Sequence, residues 1–198
     1  MGRSTSFARS NVLESALSLF WLRGFSAASL RQLENTTGLN PGSIYYHFTN
    51  KEQLFLAVLQ HYIDSHLHMR INKNLSSGDP ITGLRRFITS GYRNSQENIY
   101  RNCCFLASTC SDLCHLPPLA AELINNGLGS ILSGFKRQLA RALKNELIRV
   151  QAPLDELAEE LLHLYLSLQL LAKARPNQQQ LDAIVNRSLK TLLQPKSQ

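Results

Sequence analysis

Residues 38–48 read Gly-Leu-Asn-Pro-Gly-Ser-Ile-Tyr-Tyr-His-Phe and predict a turn followed by a short helix. Asn40 is a suitable N-cap, and Pro41 follows it at a position where a missing amide hydrogen costs nothing. Ile44 and Phe48 lie one helical turn apart, so both side chains would point inward. The residues left to face outward carry hydroxyl groups or ring nitrogens: Ser43, Tyr45, Tyr46 and His47. Such groups suit phosphate oxygens and base edges, so the segment is typical of a helix that reads DNA.

A second short helix precedes this segment. Residues 29–37 predict a helix that Ser29 caps, and Gly38 supplies the flexible turn between the two helices. Two short helices joined by a glycine turn make a helix-turn-helix, whose second helix enters the major groove of DNA.

The residues around this motif resemble the N-terminal domain of the TetR family of transcriptional regulators. The resemblance covers residues 13–55 and is carried by ordered, ungapped matches: Ala16-Leu17-Ser18-Leu19-Phe20, Gly24-Phe25, Ser29-Leu30, Gly38-Leu39, Gly42-Ser43-Ile44-Tyr45-Tyr46-His47-Phe48 and Lys51-Glu52-Gln53-Leu54-Phe55. It implies a homodimer that occludes a double-stranded DNA operator and releases it when a small molecule occupies the C-terminal domain. We therefore expect residues 1–50 to form the DNA-binding domain and residues 51–198 the ligand-binding and dimerisation domain.

The same resemblance implies DNA contacts for particular residues. Contacts with the phosphate backbone are expected from four of them: Ser29, Tyr46, His47 and Lys51. Three others would lie nearer the base edges: Asn40, Ser43 and Tyr45. Pro41 and Gly42 complete this surface, because a side chain in place of Gly42 would hold the helix away from the groove floor. The alternative for Tyr45 or Tyr46 is that one of the two packs into the core.

Length and composition agree with a soluble regulator of this kind. The 198 residues suit one small domain plus a larger one, and the net charge of +7 favours contact with phosphates. A membrane span needs about 18 apolar residues in a row, and no apolar run approaches this length. No signal-peptide pattern is present, so we expect a cytoplasmic protein without a membrane partner. The chain has no phosphate-binding glycine loop, Gly-x-Ser-x-Gly elbow or His-Glu-x-x-His motif, so we expect neither enzymatic activity nor a cofactor.

Apolar residues recur at helical spacing along the chain and predict an all-α protein of about nine helices, and the resemblance implies that the fold is TetR-like. One long helix is expected from residue 51 to residue 75, and the last two near residues 153–173 and 178–193. Each of the last two has a wide apolar face that either completes the core of one subunit or, as the resemblance implies, packs against a symmetry mate as a four-helix bundle. The residues expected at the dimer interface are Leu157, Leu161, Leu164, Leu168, Leu171, Leu181, Ile184, Val185 and Leu189.

All four cysteines of the chain lie within twelve residues: Cys103, Cys104, Cys110 and Cys114. On an unbroken helix Cys103, Cys110 and Cys114 would share one face. Reduced cysteines often pack as small core residues, but these could also sense electrophiles, oxidants or a soft metal ion. Residues 101–106 resemble a Gly-Cys-Leu stretch in one group of TetR-type regulators. Arg101 or a helix N-terminus would lower a thiol pKa, which favours Cys103 or Cys104 as the reactive residue.

The effector pocket is expected among the middle helices. Its candidate lining residues are aromatic: Phe87, Tyr92, Tyr100, Phe105, Phe135 and Tyr165. Three further histidines lie on the predicted long helix, and we assign His61, His66 and His68 to surface or interdomain polar contacts, with His61 and His68 on one face. The expected protein is a ligand- or signal-responsive repressor. The alternatives are control by cysteine modification or soft-metal binding, and a regulator that takes no small molecule.

Overall fold

The computed structural model describes residues 5–76, 78–93, 103–110, 112–149, 152–174 and 177–194. Within these ranges the chain is helical and has no β-strand, which confirms the all-α class. The elements in chain order are α1 (Thr5–Ala27), α2 (Leu30–Thr37), α3 (Pro41–Phe48), α4 (Lys51–His61), a π-helical segment π1 (Tyr62–Leu67), α5 (His68–Leu75), α6 (Pro80–Ser90), α7 (Phe105–Cys110), a 3-10 turn (Leu113–His115), α8 (Pro118–Lys144), α9 (Leu154–Ala174) and α10 (Gln178–Leu193). Counting the uninterrupted helical residues 51–75 once gives nine helices in the described ranges, as predicted. None of these described helices has the length and apolar character needed to cross a membrane.

The chain divides into two compact units. Unit 1 comprises Met1–Leu67 and Ser108–Gly127, and unit 2 comprises His68–Ala107 and Leu128–Gln198. Unit 1 therefore reaches beyond the boundary predicted at residue 50, because α4 packs against α1 within the same unit.

The core of unit 1 explains this packing. Buried apolar side chains come from each of the first four helices: Ala16, Leu17, Phe20, Leu33, Ile44, Leu54, Phe55 and Val58. Phe55 of α4 lies edge-on against Phe20 of α1, with ring centroids 5.1 Å apart, and its ring is 5.0 Å from that of Phe25. A buried aromatic of this size contributes about 3–5 kcal/mol when compared with alanine. The helix after the motif is therefore part of the framework that holds the motif.

Side-chain caps fix both helices of the motif where the sequence places them. Ser29 and Gln32 form a capping box at the start of α2, and Gly38 ends α2 in the left-handed conformation with φ of 72°. Asn40 caps α3 and Pro41 is its first residue. The predicted caps are confirmed, and the turn needs glycine because L side chains rarely adopt this backbone conformation.

The stretch 51–75 differs from the uniform α-helix that its periodicity predicts. Residues Tyr62–Leu67 form a π-helical segment, in which backbone hydrogen bonds close over five residues instead of four. The wider turn brings His61 close to His66, with ring centroids 6.1 Å apart. The predicted pairing of His61 with His68 assumed α-helical geometry throughout, which the π-helical segment breaks.

Aromatic residues predicted to line an effector pocket form the core of unit 2. Phe87, Tyr92, Phe105, Phe135 and Tyr165 are each at most 1% exposed, whereas Tyr100 lies outside the described residues. The Phe87 ring lies 5.5 Å from Phe135 and 5.4 Å from Tyr165. These residues support the fold of unit 2 whether or not a ligand enters it.

Most leucines assigned to the dimer interface are also buried within the single chain. Six of them belong to the core of unit 2: Leu157, Leu161, Leu168, Leu181, Val185 and Leu189. Leu164 and Ile184 are half-buried, and Leu171 is exposed. Leu170, absent from the predicted set, is 53% exposed. An apolar periodicity of this width mixes core positions with surface positions, and the structure separates them.

Candidate nucleic-acid interface

The helix α3 has one face fixed in the core and one face open to solvent. Ile44 is fully buried and Phe48 is 5% exposed, whereas Tyr45 is 48% and Tyr46 85% exposed. The alternative that one tyrosine packs into the core is therefore wrong. Large aromatic side chains are seldom left this exposed, so the open face of α3 is a candidate contact surface.

The first turn of α3 presents a polar surface with little bulk. The Asn40 Oδ1 atom accepts a hydrogen bond of 2.8 Å from the Ser43 amide, so its side-chain NH₂ remains directed away from this cap bond. Pro41 and Gly42 are exposed, and Ser43 is half-buried. A Cβ atom added at Gly42 would meet only the Asn40 Oδ1 atom, at 3.4 Å. The fold of the chain alone therefore does not require glycine at this position.

Ser29 lies at the exposed N-terminus of α2, where its hydroxyl already has partners. Its Oγ atom accepts a hydrogen bond of 3.2 Å from the Gln32 amide and donates one of 3.2 Å to the Gln32 Oε1 atom. The Ser29 amide donates to the same Oε1 atom at 3.0 Å. The first amides of α2 have no intrahelical acceptor, which is the arrangement that binds phosphate oxygens in other helices.

Lys51, which is also predicted to contact a phosphate, is half-buried and turned toward its own unit. Its ammonium nitrogen lies 4.6 Å from the centroid of the Phe25 ring and donates to the Ser26 carbonyl oxygen at 3.5 Å. Burial lowers the pKa of Lys51 below its usual value. A phosphate contact by Lys51 would require this side chain to leave the Phe25 ring.

His47 and Arg9 lie near the C-terminal end of α3, and Arg9 was not expected there. His47 is exposed, and its ring lies edge-on to Tyr46 at 5.1 Å. The Arg9 guanidinium stacks over Phe48, 4.6 Å from the ring centroid, and Arg9 is exposed. Sequence reasoning missed Arg9 because no local pattern pairs it with a residue thirty-nine positions later. It places a permanent positive charge beside Phe48, the last residue of α3.

The cysteines do not share one helix face. The helix α7 begins at Phe105 and ends at Cys110, so Cys103 and Cys104 precede it and Cys114 lies in the following 3-10 turn. The prediction of a single stripe is wrong, since it assumed an unbroken helix. Cys103 and Cys104 are each 1% exposed, Cys110 is half-buried and Cys114 is exposed. This burial also opposes the predicted order of reactivity, because a reactive thiol needs access to its reagent. Arg101, proposed as the activating charge, lies outside the described residues.

Unit 2 contains a polar cluster that sequence reasoning missed. The Arg70 guanidinium lies 3.4 Å from the Tyr165 hydroxyl and 3.3 Å from the Phe87 carbonyl oxygen. Burial raises the pKa of Tyr165, and a hydrogen bond with Cys104 acts in the same direction. The buried Gln169 accepts a hydrogen bond of 2.9 Å from the Cys104 amide. Among the described residues, the Gln169 Nε2 atom has no hydrogen-bond partner.

Comparison with known proteins places the motif in a family. The family described as bacterial regulatory proteins, tetR family, matches residues 12–58. The transcriptional repressor ComR of Escherichia coli is 48% identical over 63 residues, which cover 32% of this chain and 30% of ComR. The repressor NicS of Pseudomonas putida is 29% identical over 151 residues, 75% of this chain and 61% of NicS. In both alignments the chain spans less than two thirds of the relative.

Solved structures extend the likeness to both units. A TetR family regulator, CifR, complexed with 26-bp double-strand operator DNA, is 25% identical with a TM-score of 0.79, covering 95% of this chain and 98% of CifR. Reduced NemR of E. coli has a TM-score of 0.83 and 18% identity, covering 94% of this chain and 97% of NemR, and supports the fold alone. The motif and its matched residues belong to the tetR family of bacterial regulatory proteins, and the fold of the described chain is that of solved TetR family regulators.

Proposed function

We propose that the protein is a homodimeric transcriptional repressor that binds a palindromic DNA operator and releases it in response to a chemical signal. The observation that carries this proposal is the open face of α3, where Tyr45 and Tyr46 are exposed above the buried Ile44 and Phe48. Neither tyrosine packs into the core of its own unit. This face suits a groove of DNA, where aromatic hydroxyls reach phosphate oxygens.

Each part of the motif has a distinct role in this proposal. The Tyr46 hydroxyl, His47 and the N-terminus of α2 at Ser29 contact phosphates and set the orientation on the duplex. The Asn40 amide, Ser43 and Tyr45 reach base edges in the major groove.

Two further residues assist these contacts. The small Gly42 allows the first turn of α3 to approach the base edges, and Arg9 of α1 adds a phosphate contact.

Dimerisation supplies a second copy of α3, the helix that reads DNA. A palindromic operator presents two half-sites about 34–36 Å apart or a multiple of this spacing, so two motifs must be held at a matching separation. We assign to the partner copy an apolar surface on α9 and α10. It consists of the exposed Leu170 and Leu171, the half-buried Leu164 on α9, and Ile184 on α10. The six buried leucine and valine positions support this face from beneath.

The signal is proposed to enter unit 2. Among the described residues the Gln169 Nε2 atom has no acceptor, and a buried amide nitrogen in this state costs about 1–3 kcal/mol, which favours a small molecule that brings a hydrogen-bond acceptor. The Tyr165 hydroxyl and the Arg70 guanidinium are further polar groups around the aromatic core. The exposed Cys114 supports a second candidate, in which an electrophile or oxidant modifies a thiol.

Operator binding provides the test of this function. An operator would first be selected from random duplexes, and its affinity for the full chain measured at fixed salt by fluorescence anisotropy. Tyr46→Ala should weaken operator binding at least about tenfold, in line with the loss of a charge-assisted hydrogen bond, and leave the dimer folded. Met69→Ala removes another exposed apolar side chain, 65% exposed on α5, and should bind as the wild type does. Unchanged affinity of Tyr46→Ala would remove Tyr46 from the contact surface.

A further inference from the structure

One cluster of side chains in unit 1 has no part in the function proposed above. Glu14 of α1 faces two histidines, His61 at the end of α4 and His66 in π1. The Glu14 Oε2 atom lies 3.2 Å from the His61 Nε2 atom and 2.9 Å from the His66 Nε2 atom. Each of the three residues offers one possible ligand atom within 4.8 Å of those of the other two. A carboxylate and two imidazoles that converge through these atoms are a donor set for a metal ion.

The π-helical segment is what brings the two histidines together. In an α-helix, two residues five positions apart point about 140° away from each other, so they cannot bind one ion. The π-helix closes its hydrogen bonds over five residues, which turns His66 toward the side of His61. Such segments are rare and frequently occur at functional sites.

The distances agree with a tetrahedral ion. Metal bonds of 2.0–2.1 Å to imidazole nitrogen and carboxylate oxygen, at tetrahedral angles, place neighbouring ligand atoms about 3.3 Å apart. The two distances from Glu14 fall close to this separation.

Neighbouring groups hold the ligands in place and leave one side open. The Ser65 hydroxyl lies 3.4 Å from the second ring nitrogen of His61, which orients that ring, and Tyr62 stacks on His66 with ring centroids 5.7 Å apart. The side chains of His66 and Glu14 are 36% and 47% exposed. Water can therefore complete the coordination, and an ion can exchange with solvent.

The charge state of Glu14 also suits a metal ligand. Burial alone would raise its pKa, but hydrogen bonds and charge from His66, and then from His61, outweigh burial and lower the pKa. The carboxylate is therefore ionised at neutral pH. In the absence of an ion, hydrogen bonds between the carboxylate and the two imidazoles account for the same contacts, and metal titration of the variants separates the two.

We infer that Glu14, His61 and His66 bind one divalent transition-metal ion, with Zn²⁺ as the best match, and that water occupies the remaining position. Imidazole is a preferred ligand of Zn²⁺ and of its neighbours in the first transition row, whereas Mg²⁺ and Ca²⁺ prefer oxygen ligands. The ion ties α1 to π1 within unit 1. This inference does not depend on the proposed function, because its test contains no DNA.

Binding of Zn²⁺ and Co²⁺ to the full chain, reduced and freed of metal by a chelator, tests the site. Calorimetry should give one ion per chain, unaffected by an excess of Mg²⁺. Glu14→Gln, His61→Gln and His66→Gln should each lower the affinity at least about 100-fold. His163→Gln removes an exposed histidine of α9 and should leave the affinity unchanged. The absence of binding, or equal affinity in all four variants, would overturn the inference.

Thiols are the competing ligands, and a second variant deals with them. Cys110→Ser combined with Cys114→Ser removes both thiols that are not fully buried and should bind Zn²⁺ as the wild type does. The Co²⁺ complex should show tetrahedral visible bands without sulfur charge transfer. Loss of binding in the double variant, or a sulfur band in the wild type, would assign the ion to the cysteines. Thermal unfolding of each variant without metal checks that the fold is retained, so weaker binding is not mistaken for unfolding.

Discussion

The helix-turn-helix segment and the cysteine segment are both short runs of unusual residues, yet only the first has the structure that its spacing predicts. In the first, each helix end is fixed by a cap within a few residues of it: Ser29 and Gly38 for α2, and Asn40 for α3. In the second, the face predicted for the cysteines depended on a continuous helix, but α7 begins at Phe105 and ends at Cys110. A residue spacing predicts a shared face only where the helix boundaries are themselves specified.

The largest expected effect tests the buried side of the recognition helix. Phe48→Ala should lower the free energy of unfolding by about 3–5 kcal/mol, because it removes a buried aromatic ring and the surface on which Arg9 stacks. Urea denaturation measures this change. Tyr46→Ala on the exposed side is the control and should alter stability by less than about 0.5 kcal/mol. Similar losses in the two variants would contradict the division of α3 into a buried face and an open face.

Thiol labelling tests the accessibility of the residues in the cysteine segment. Under native conditions Cys114 should react with a maleimide at least about ten times faster than Cys103 or Cys104, since the buried pair reacts only after local opening. Cys110, which is half-buried, should fall between them. Time-resolved mass spectrometry of peptides measures each rate. Cys114→Ser should remove the fast phase, and a fast phase that persists at Cys104 would restore the order predicted from the sequence.

Gly42→Ala should have smaller effects, which are a gain in stability and a loss of operator affinity. Gly42→Ala adds a methyl group that meets only the Asn40 Oδ1 atom and improves helix propensity, so it should stabilise the protein by about 0.5–1 kcal/mol. The same methyl group should weaken operator binding, because it projects from the first turn of α3. Denaturation and anisotropy on the same preparation measure both. Full operator affinity in a stabilised variant would show that glycine is not needed for approach to DNA.

Features specified by nearby residues could be predicted, and features that depend on distant pairs could not. The motif, its caps and the inward direction of Ile44 and Phe48 follow from residues within one or two turns. The partners of Arg9 and Arg70 lie far along the chain, and no periodicity reports them. The π-helical segment was also missed, because its residues continue the apolar pattern of an α-helix, and so the approach of His61 to His66 could not be foreseen.

The smallest expected effect concerns Glu14, whose environment no local pattern predicts. Hydrogen bonds and charge from the two histidines outweigh burial and hold the Glu14 pKa below 4.5, so the unfolded chain takes up this proton at a higher pH than the native chain. The stability that the Glu14 carboxylate contributes is therefore present above about pH 4.5 and is lost as pH falls through its native pKa. Urea denaturation between about pH 3 and pH 6, with a chelator present, should show the difference between wild type and Glu14→Gln shrinking as pH falls. Glu14 is half-exposed, so solvent screening keeps this difference small. A difference that does not change with pH would mean that Glu14 stabilises unit 1 through packing and not through its charge.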